Sequence, residues 1–131
     1  MAELTKILHI EDESDIREIA HMALDMIGGF EVMQAGCGSE ALEMVEGFAP
    51  DLILTDVQMP GMTGPETLVA IRELSGYERV PGIYMTAKVM ESEREALLRA
   101  HDLGVITKPF DPTSLATEVR ALWAAGIADA A

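Results

Sequence analysis

Between Leu52 and Gly64 the chain reads LILTDVQMPGMTG. An uncharged run ends on one carboxylate, Asp56, and the chain then breaks at Pro60, Gly61 and Gly64. A continuous apolar run, without alternation, is the pattern of a strand covered on both faces, as in a parallel sheet. The acid therefore stands at the carboxyl end of a buried strand, with a turn behind it that clears space.

Similar runs lie on either side: Ile7–Ile10, Phe30–Met33, Gly82–Thr86 and Gly104–Thr107. The segments between them are long enough for helices. Ile16, Ile19, Ala20, Ala23 and Ile27 keep helical spacing, with Ser14 or Asp15 as a cap and Gly28-Gly29 as the stop. Helices are expected from Ser39 to about Gly47, from Pro65 through Leu74 and from Met90 through Ala100. A last helix opens at Asp111-Pro112, with Leu115, Val119 and Leu122 as its apolar stripe. Strands alternating with helices predict an α/β domain, (βα)5, in which right-handed crossovers place helices on both faces of a parallel sheet. In such sheets ligands bind beyond the carboxyl ends of the strands.

The length of 131 residues suits one domain, read as 1–131 with a core of about 4–125. The net charge of −14 opposes binding to nucleic acid phosphates or anionic membranes. The single cysteine, Cys37, excludes an internal disulfide, and no apolar stretch has the form of a signal peptide or a membrane span. A cytoplasmic protein is expected, with no nucleic acid partner and no membrane insertion.

The strand ends carry the chemistry. The first strand closes on Glu11-Asp12-Glu13, the third on Asp56, the fourth on Thr86 and the fifth on Lys108-Pro109. If the first and third strands are neighbours, Glu11, Asp12 and Asp56 share one site, and such carboxylates repel unless a proton or cation intervenes. A hard divalent ion with oxygen ligands answers this, and Mg2+ suits carboxylates together with waters and a phosphate. Lys108 adds a point charge for a phosphoryl oxygen, and Thr86 adds a hydroxyl. Acids, a metal, a lysine and a hydroxyl form a phosphoryl-transfer site in which Asp56 attacks phosphorus.

In "ILHIEDES", "LILTDVQMPGMTG", "MTA" and "ITKPF" the chain resembles, over nearly its whole length, the receiver domain of bacterial two-component response regulators. The resemblance implies the flavodoxin-like, doubly wound five-stranded sheet of order 2-1-3-4-5. It implies phosphorylation of Asp56 by a histidine kinase or histidine phosphotransfer protein. Mg2+, with Mn2+ as a substitute, would be held by Glu11, Asp12, Asp56 and the backbone carbonyl of Gln58. Thr86, Ala87 and Lys108 would bind the phosphoryl group and switch, and the Lys108-Pro109 bond would be cis. Gln58 and Lys88 occupy positions that tune phosphoryl lifetime in the family. Such a domain is no enzyme beyond catalysing its own phosphorylation and dephosphorylation.

One departure stands out: Val105 occupies a position on the fifth strand where family members often carry Tyr or Phe. Tyr84 shares strand parity with Thr86 and is a candidate substitute. Output is expected on the face of the helix over 90–100, the fifth strand and the last helix, where Val105, Arg120 and Trp123 are the candidate contacts, with Ala116 on the same stripe. A stand-alone receiver is expected, a monomer or phosphorylation-dependent dimer read by an unknown downstream protein. A haloacid-dehalogenase-like phosphatase would need an acid where Gln58 stands. A flavodoxin-like flavin carrier would need a phosphate cradle where Glu11-Asp12-Glu13 repels phosphate. His9 is expected to be a satisfied core histidine, His21 and His101 to be surface residues, and the nine methionines to fill the core.

Overall fold

The computed structural model describes residues 3–87, 97–98 and 101–130, with side chains through 126. The expected helix from Met90 through Ala100 thus lies outside the described residues, apart from Leu97 and Leu98, and so does Lys88. The elements are β1 (Lys6–Ile10), α1 (Ser14–His21), a π-helical turn (Met22–Ile27), β2 (Glu31–Ala35), α2 (Gly38–Phe48), β3 (Leu52–Asp56), α3 (Gly64–Arg72), β4 (Gly82–Thr86), β5 (Asp102–Thr107) and α4 (Leu115–Ala130). The strands form one parallel sheet in the order β2-β1-β3-β4-β5. This is the doubly wound, flavodoxin-like arrangement expected from the sequence.

Burial explains the patterns. Every residue of the central strand β3 is buried, whereas edge strand β2 alternates between exposed and covered. Alternate side chains then feed two cores. Ile7, Leu52, Leu54, Ile83 and Ile106 meet Ala20, Leu24, Leu115 and Val119 of α1, the π turn and α4. Leu8, Ile10, Ile53 and Tyr84 meet Ala41, Val45, Leu68 and Ile71 of α2 and α3. Arg72 stitches the end of α3 to the far edge, donating to the Val80 carbonyl at 2.8 Å and to Asp102 Oδ1 at 2.8 Å.

Local signals differ from expectation in places. Helix α1 is capped by Glu13 without a side-chain hydrogen bond, not by Ser14 or Asp15. The helix then widens into the π turn, where the Gly28 N–H reaches back to the Ala23 carbonyl at 3.1 Å. Helix α2 starts at Gly38 rather than Ser39; Gly47 stands near its end, as expected, and Ala49, in the left-handed region at φ 55°, closes it. Helix α3 opens one residue before Pro65 on a capping box: the Glu66 N–H donates to Thr63 Oγ1, and the Thr63 N–H donates to Glu66 Oε1. Only some methionines fill the core: Met59 and Met85 are buried, whereas Met22, Met26 and Met33 are exposed.

His9 corrects another expectation. It is fully buried, and its Nδ1 lies 3.0 Å from Gln34 Nε2, but its Nε2 has no partner among the described residues. Burial pushes its pKa down from 6.5 to about 3, helped by the charges of Lys108 and Arg17. The unfolded chain therefore takes up a proton below pH 6.5 that the native state refuses until about pH 3. Within that window His9 alone is expected to remove about 1.4 kcal/mol of stability per pH unit as pH falls. Urea unfolding at pH 7 and pH 5 should show a steeper loss for wild type than for His9→Leu. Parallel losses in the two proteins would contradict this.

Candidate functional site

Parallel pairing places the ends of β1, β3, β4 and β5 side by side. Ile10 is opposite Thr55, so Glu11 emerges beside Asp56, and Asp56 is opposite Met85. Thr86 pairs with Thr107, and its carbonyl accepts the Lys108 N–H at 2.8 Å, which sets Lys108 against the end of β4. Gly64 makes the approach of α3 possible: a Cβ there would lie 2.1 Å from the Asp56 carbonyl oxygen, and the Gly64 N–H donates to the Val57 carbonyl. The glycine of the opening motif is thus a packing requirement immediately behind the acid.

The sheet brings Glu11, Asp12 and Asp56 together, with one carboxylate oxygen from each lying within 4.8 Å of the others. Glu11 is buried, Asp56 is 8% exposed and Asp12 is open to solvent. Lys108 Nζ donates to Glu11 Oε1 at 3.0 Å and to Asp56 Oδ2 at 2.9 Å. Glu11 Oε2 accepts the Glu13 N–H at 3.2 Å. Burial pushes the Glu11 carboxyl above the usual carboxylate range, against the pull of Lys108 and the Glu13 N–H. Burial pulls the Lys108 ammonium down, yet its hydrogen bonds to Asp56 and Glu11 outweigh this and hold its pKa above 10.5.

Lys108 supplies one positive charge against three clustered carboxylates. Hard oxygen donors, residual negative charge and an opening at Asp12 fit a hard divalent cation. The Lys108-Pro109 bond is cis. Gln58 and Ala87 are exposed on the loops after β3 and β4.

The candidate contacts of the expected output face stand on both sides of the edge strand β5, while most of the helix expected over 90–100 lies outside the described residues. Val105 packs with Tyr84, Leu97 and Leu98 in the core that α2 and α3 cover, whereas Trp123 packs against the core on the other side of the sheet. Arg120 is engaged: Nη2 donates to the Gly28 carbonyl, and the guanidinium stacks 4.4 Å from the centroid of the Phe30 ring. Ala116 is buried where Gly28 approaches α4, since a Cβ on Gly28 would lie 2.7 Å from that of Ala116. Ala116 and Arg120 thus form a packing seam against the segment over 28–30 that follows the π turn. Tyr84 is 1% exposed and pairs across the sheet with Val105. Sequence reading also missed Arg17, which donates to the Glu11 carbonyl at 2.6 Å. No local pattern signalled this contact, because Glu11 and Asp12 precede α1 and Arg17 lies six residues beyond Glu11.

The family model for the response regulator receiver domain matches residues 7–120. Over 109 residues the chain is 38% identical to the 14.6 kDa protein in the sodA1 3' region of Leptolyngbya boryana, covering 83% of this chain and 82% of that one. It is 32% identical to the response regulator Rre1 of Synechocystis, covering 95% of this chain but only 54% of the relative. Several other curated relatives are likewise matched over about half their length. Among solved structures, the chemotaxis protein CheY4 of Vibrio cholerae superposes with a TM-score of 0.80 at 30% identity, covering 92% of this chain and 99% of that one. No helix among the described residues is long and apolar enough to cross a membrane.

Proposed function

From the premise that the chain belongs to the response regulator receiver domain family, and so is a phosphorylation-switched signalling module, we propose that Asp56 is its phosphoacceptor. The observation that carries this reading is the cluster itself: an acid at the end of the central strand, two further acids within 4.8 Å and a lysine bonded to it at 2.9 Å. Asp56 attacks phosphorus through a carboxylate oxygen as the bond from phosphorus to the donor breaks. Lys108, already at the acceptor, moves from a carboxylate oxygen to a phosphoryl oxygen. Mg2+, held by Glu11, Asp12, Asp56 and the Gln58 carbonyl, would supply charge neutralisation at the transferring group.

Phosphorylation adds roughly −1.5 to −2 charges and new acceptor oxygens. Lys108 and the Thr86 hydroxyl are the groups placed to answer them, since the backbone of Lys108 is bonded to the Thr86 carbonyl. Drawing both toward Asp56 biases the surface around β4 and β5 toward a second arrangement. The donor is a histidine kinase or histidine phosphotransfer protein, and the receiver of the signal is a protein docking on that surface.

Incubation with phosphoramidate, followed by intact mass, tests the reading. One phosphoryl mass is expected with Mg2+ and almost none with chelator; equal labelling in both would overturn the metal's part. Asp12→Ala is expected to reduce Mg2+ binding, followed by calorimetry, to the limit of detection, because Asp12 is the exposed acid of the three. Undiminished binding in that variant would move the metal elsewhere.

A further inference from the structure

We propose that Arg17 is a positioning residue for the metal site: its guanidinium holds the Glu11–Asp12 peptide in the orientation that lets Glu11, Asp12 and Asp56 share one cation. The proposal rests on the reading of the acidic cluster as a Mg2+ site.

Arg17 lies on the first turn of α1, and its Nη1 donates to the Glu11 carbonyl oxygen at 2.6 Å. That is a short, charge-assisted bond. On the other side of the same residue, the Glu11 N–H donates to the Ala35 carbonyl at 3.0 Å. The backbone of Glu11 is thus clamped between β2 and α1. Its carbonyl belongs to the peptide that leads into Asp12, so fixing that plane fixes where Asp12 begins. Among the described residues Arg17 forms no ion pair with a carboxylate, although the carbonyl it binds belongs to a member of the acidic cluster. Its charge is spent on a backbone oxygen, and it is the geometry that it supplies.

The arginine is itself braced. Its N–H donates to the Glu13 carbonyl at 3.0 Å, and its carbonyl accepts Gln34 Nε2 at 2.7 Å. The same amide nitrogen lies 3.0 Å from His9 Nδ1, which accepts because an amide –NH2 can only donate. Gly36 leaves the channel for the guanidinium: a Cβ there would lie 3.3 Å from Arg17 Nη1. A buried histidine, a glutamine on edge strand β2 and a glycine beyond it therefore all serve the placement of one side chain.

The sign of the effect separates this role from simple electrostatics. Removing a positive charge near three acids should, by Coulomb's law alone, tighten cation binding. Releasing the loop should weaken it. Groups that orient metal ligands without touching the metal are commonly worth 10- to 100-fold in affinity, so Arg17→Met is expected to weaken Mg2+ binding about tenfold. Arg17→Lys, which keeps a donor and a charge, is expected to recover most of the loss.

The experiment is Mg2+ titration of the full chain by calorimetry, with urea unfolding of each variant alongside and Asp12→Ala as reference. Weaker binding in Arg17→Met, regained in Arg17→Lys, at little change in unfolding midpoint, supports the role. Unchanged or tighter binding in Arg17→Met overturns it, and so does a lysine variant no better than the methionine one. Should Arg17→Met fail to fold, Gly36→Ala carries the test, since it keeps the charge and crowds the guanidinium: severalfold weaker binding is expected, and wild-type affinity overturns the role. Wild type that binds no Mg2+ overturns the metal site and the role together. Wild-type binding lost in Asp12→Ala but intact in Arg17→Met overturns the role alone.

Discussion

Asp56→Ala is expected to lose the phosphoryl adduct entirely, from near-complete labelling by phosphoramidate and Mg2+ to none detectable by intact mass. The other acids of the cluster are poor substitutes. Glu11 is buried, with one oxygen bonded to Lys108 and the other to the Glu13 N–H. Asp12 is exposed on a loop, without the lysine. Asp56 has Oδ2 on Lys108, and no hydrogen bond among the described residues commits its Oδ1. It also stands at the end of the central strand, where Gly64 lets α3 pass close behind it. The variant should remain folded, because Lys108 keeps its bond to Glu11. Labelling of Asp56→Ala at wild-type yield would place the acceptor elsewhere, and peptide mapping of that adduct would say where.

Lys108→Met is expected to produce the largest change in stability. Its side chain is 15% exposed, with two nearly buried carboxylates in direct contact. Removing one partner of a buried ion pair typically costs about 3–5 kcal/mol, because the remaining charge is left uncompensated. Here two carboxylates lose their partner at once. The loss should be largest without divalent cation, and Mg2+ should stabilise the variant more than it stabilises wild type, since only the metal then neutralises the cluster. The lysine pKa is held above 10.5, so its contribution is fully present at neutral pH and disappears only as pH rises through that elevated value. Urea unfolding at pH 7, with and without Mg2+, measures both effects. Equal stability of variant and wild type in the absence of Mg2+ would show that the lysine does not balance the acids.

The strand ends were legible in the sequence for a simple reason. Leu52–Asp56 is buried throughout, so its residues had to be apolar up to the point where the strand meets the crevice. Glu11, Asp56, Thr86 and Lys108 could be placed by the same logic before any coordinates. The capping box at Thr63 is equally present in T-G-P-E, one residue before the helix start that Pro65 suggests. Arg17, Gln34 and Gly36 were not legible as a unit, because their partners come from three elements and no periodicity links them. The outer stripe of the last helix was only partly legible for a related reason. Helical spacing reveals which residues share a face, but Arg120 reaches a carbonyl at Gly28, a contact 92 residues away in the chain that no local pattern announces.

The contact between Glu11 and Lys108 joins residues 97 apart, nearly the two ends of the domain. Seen from the ribosome, the acidic half of the site exists long before its counter-charge is made. A nascent chain that has folded only β1 to β3 presents clustered carboxylates without the lysine, and a chain broken between β4 and β5 loses the lysine altogether. The counter-charge of the acidic cluster therefore arrives only after the last strand has been synthesised. Incomplete copies of the domain carry the clustered acids but lack the lysine that balances them.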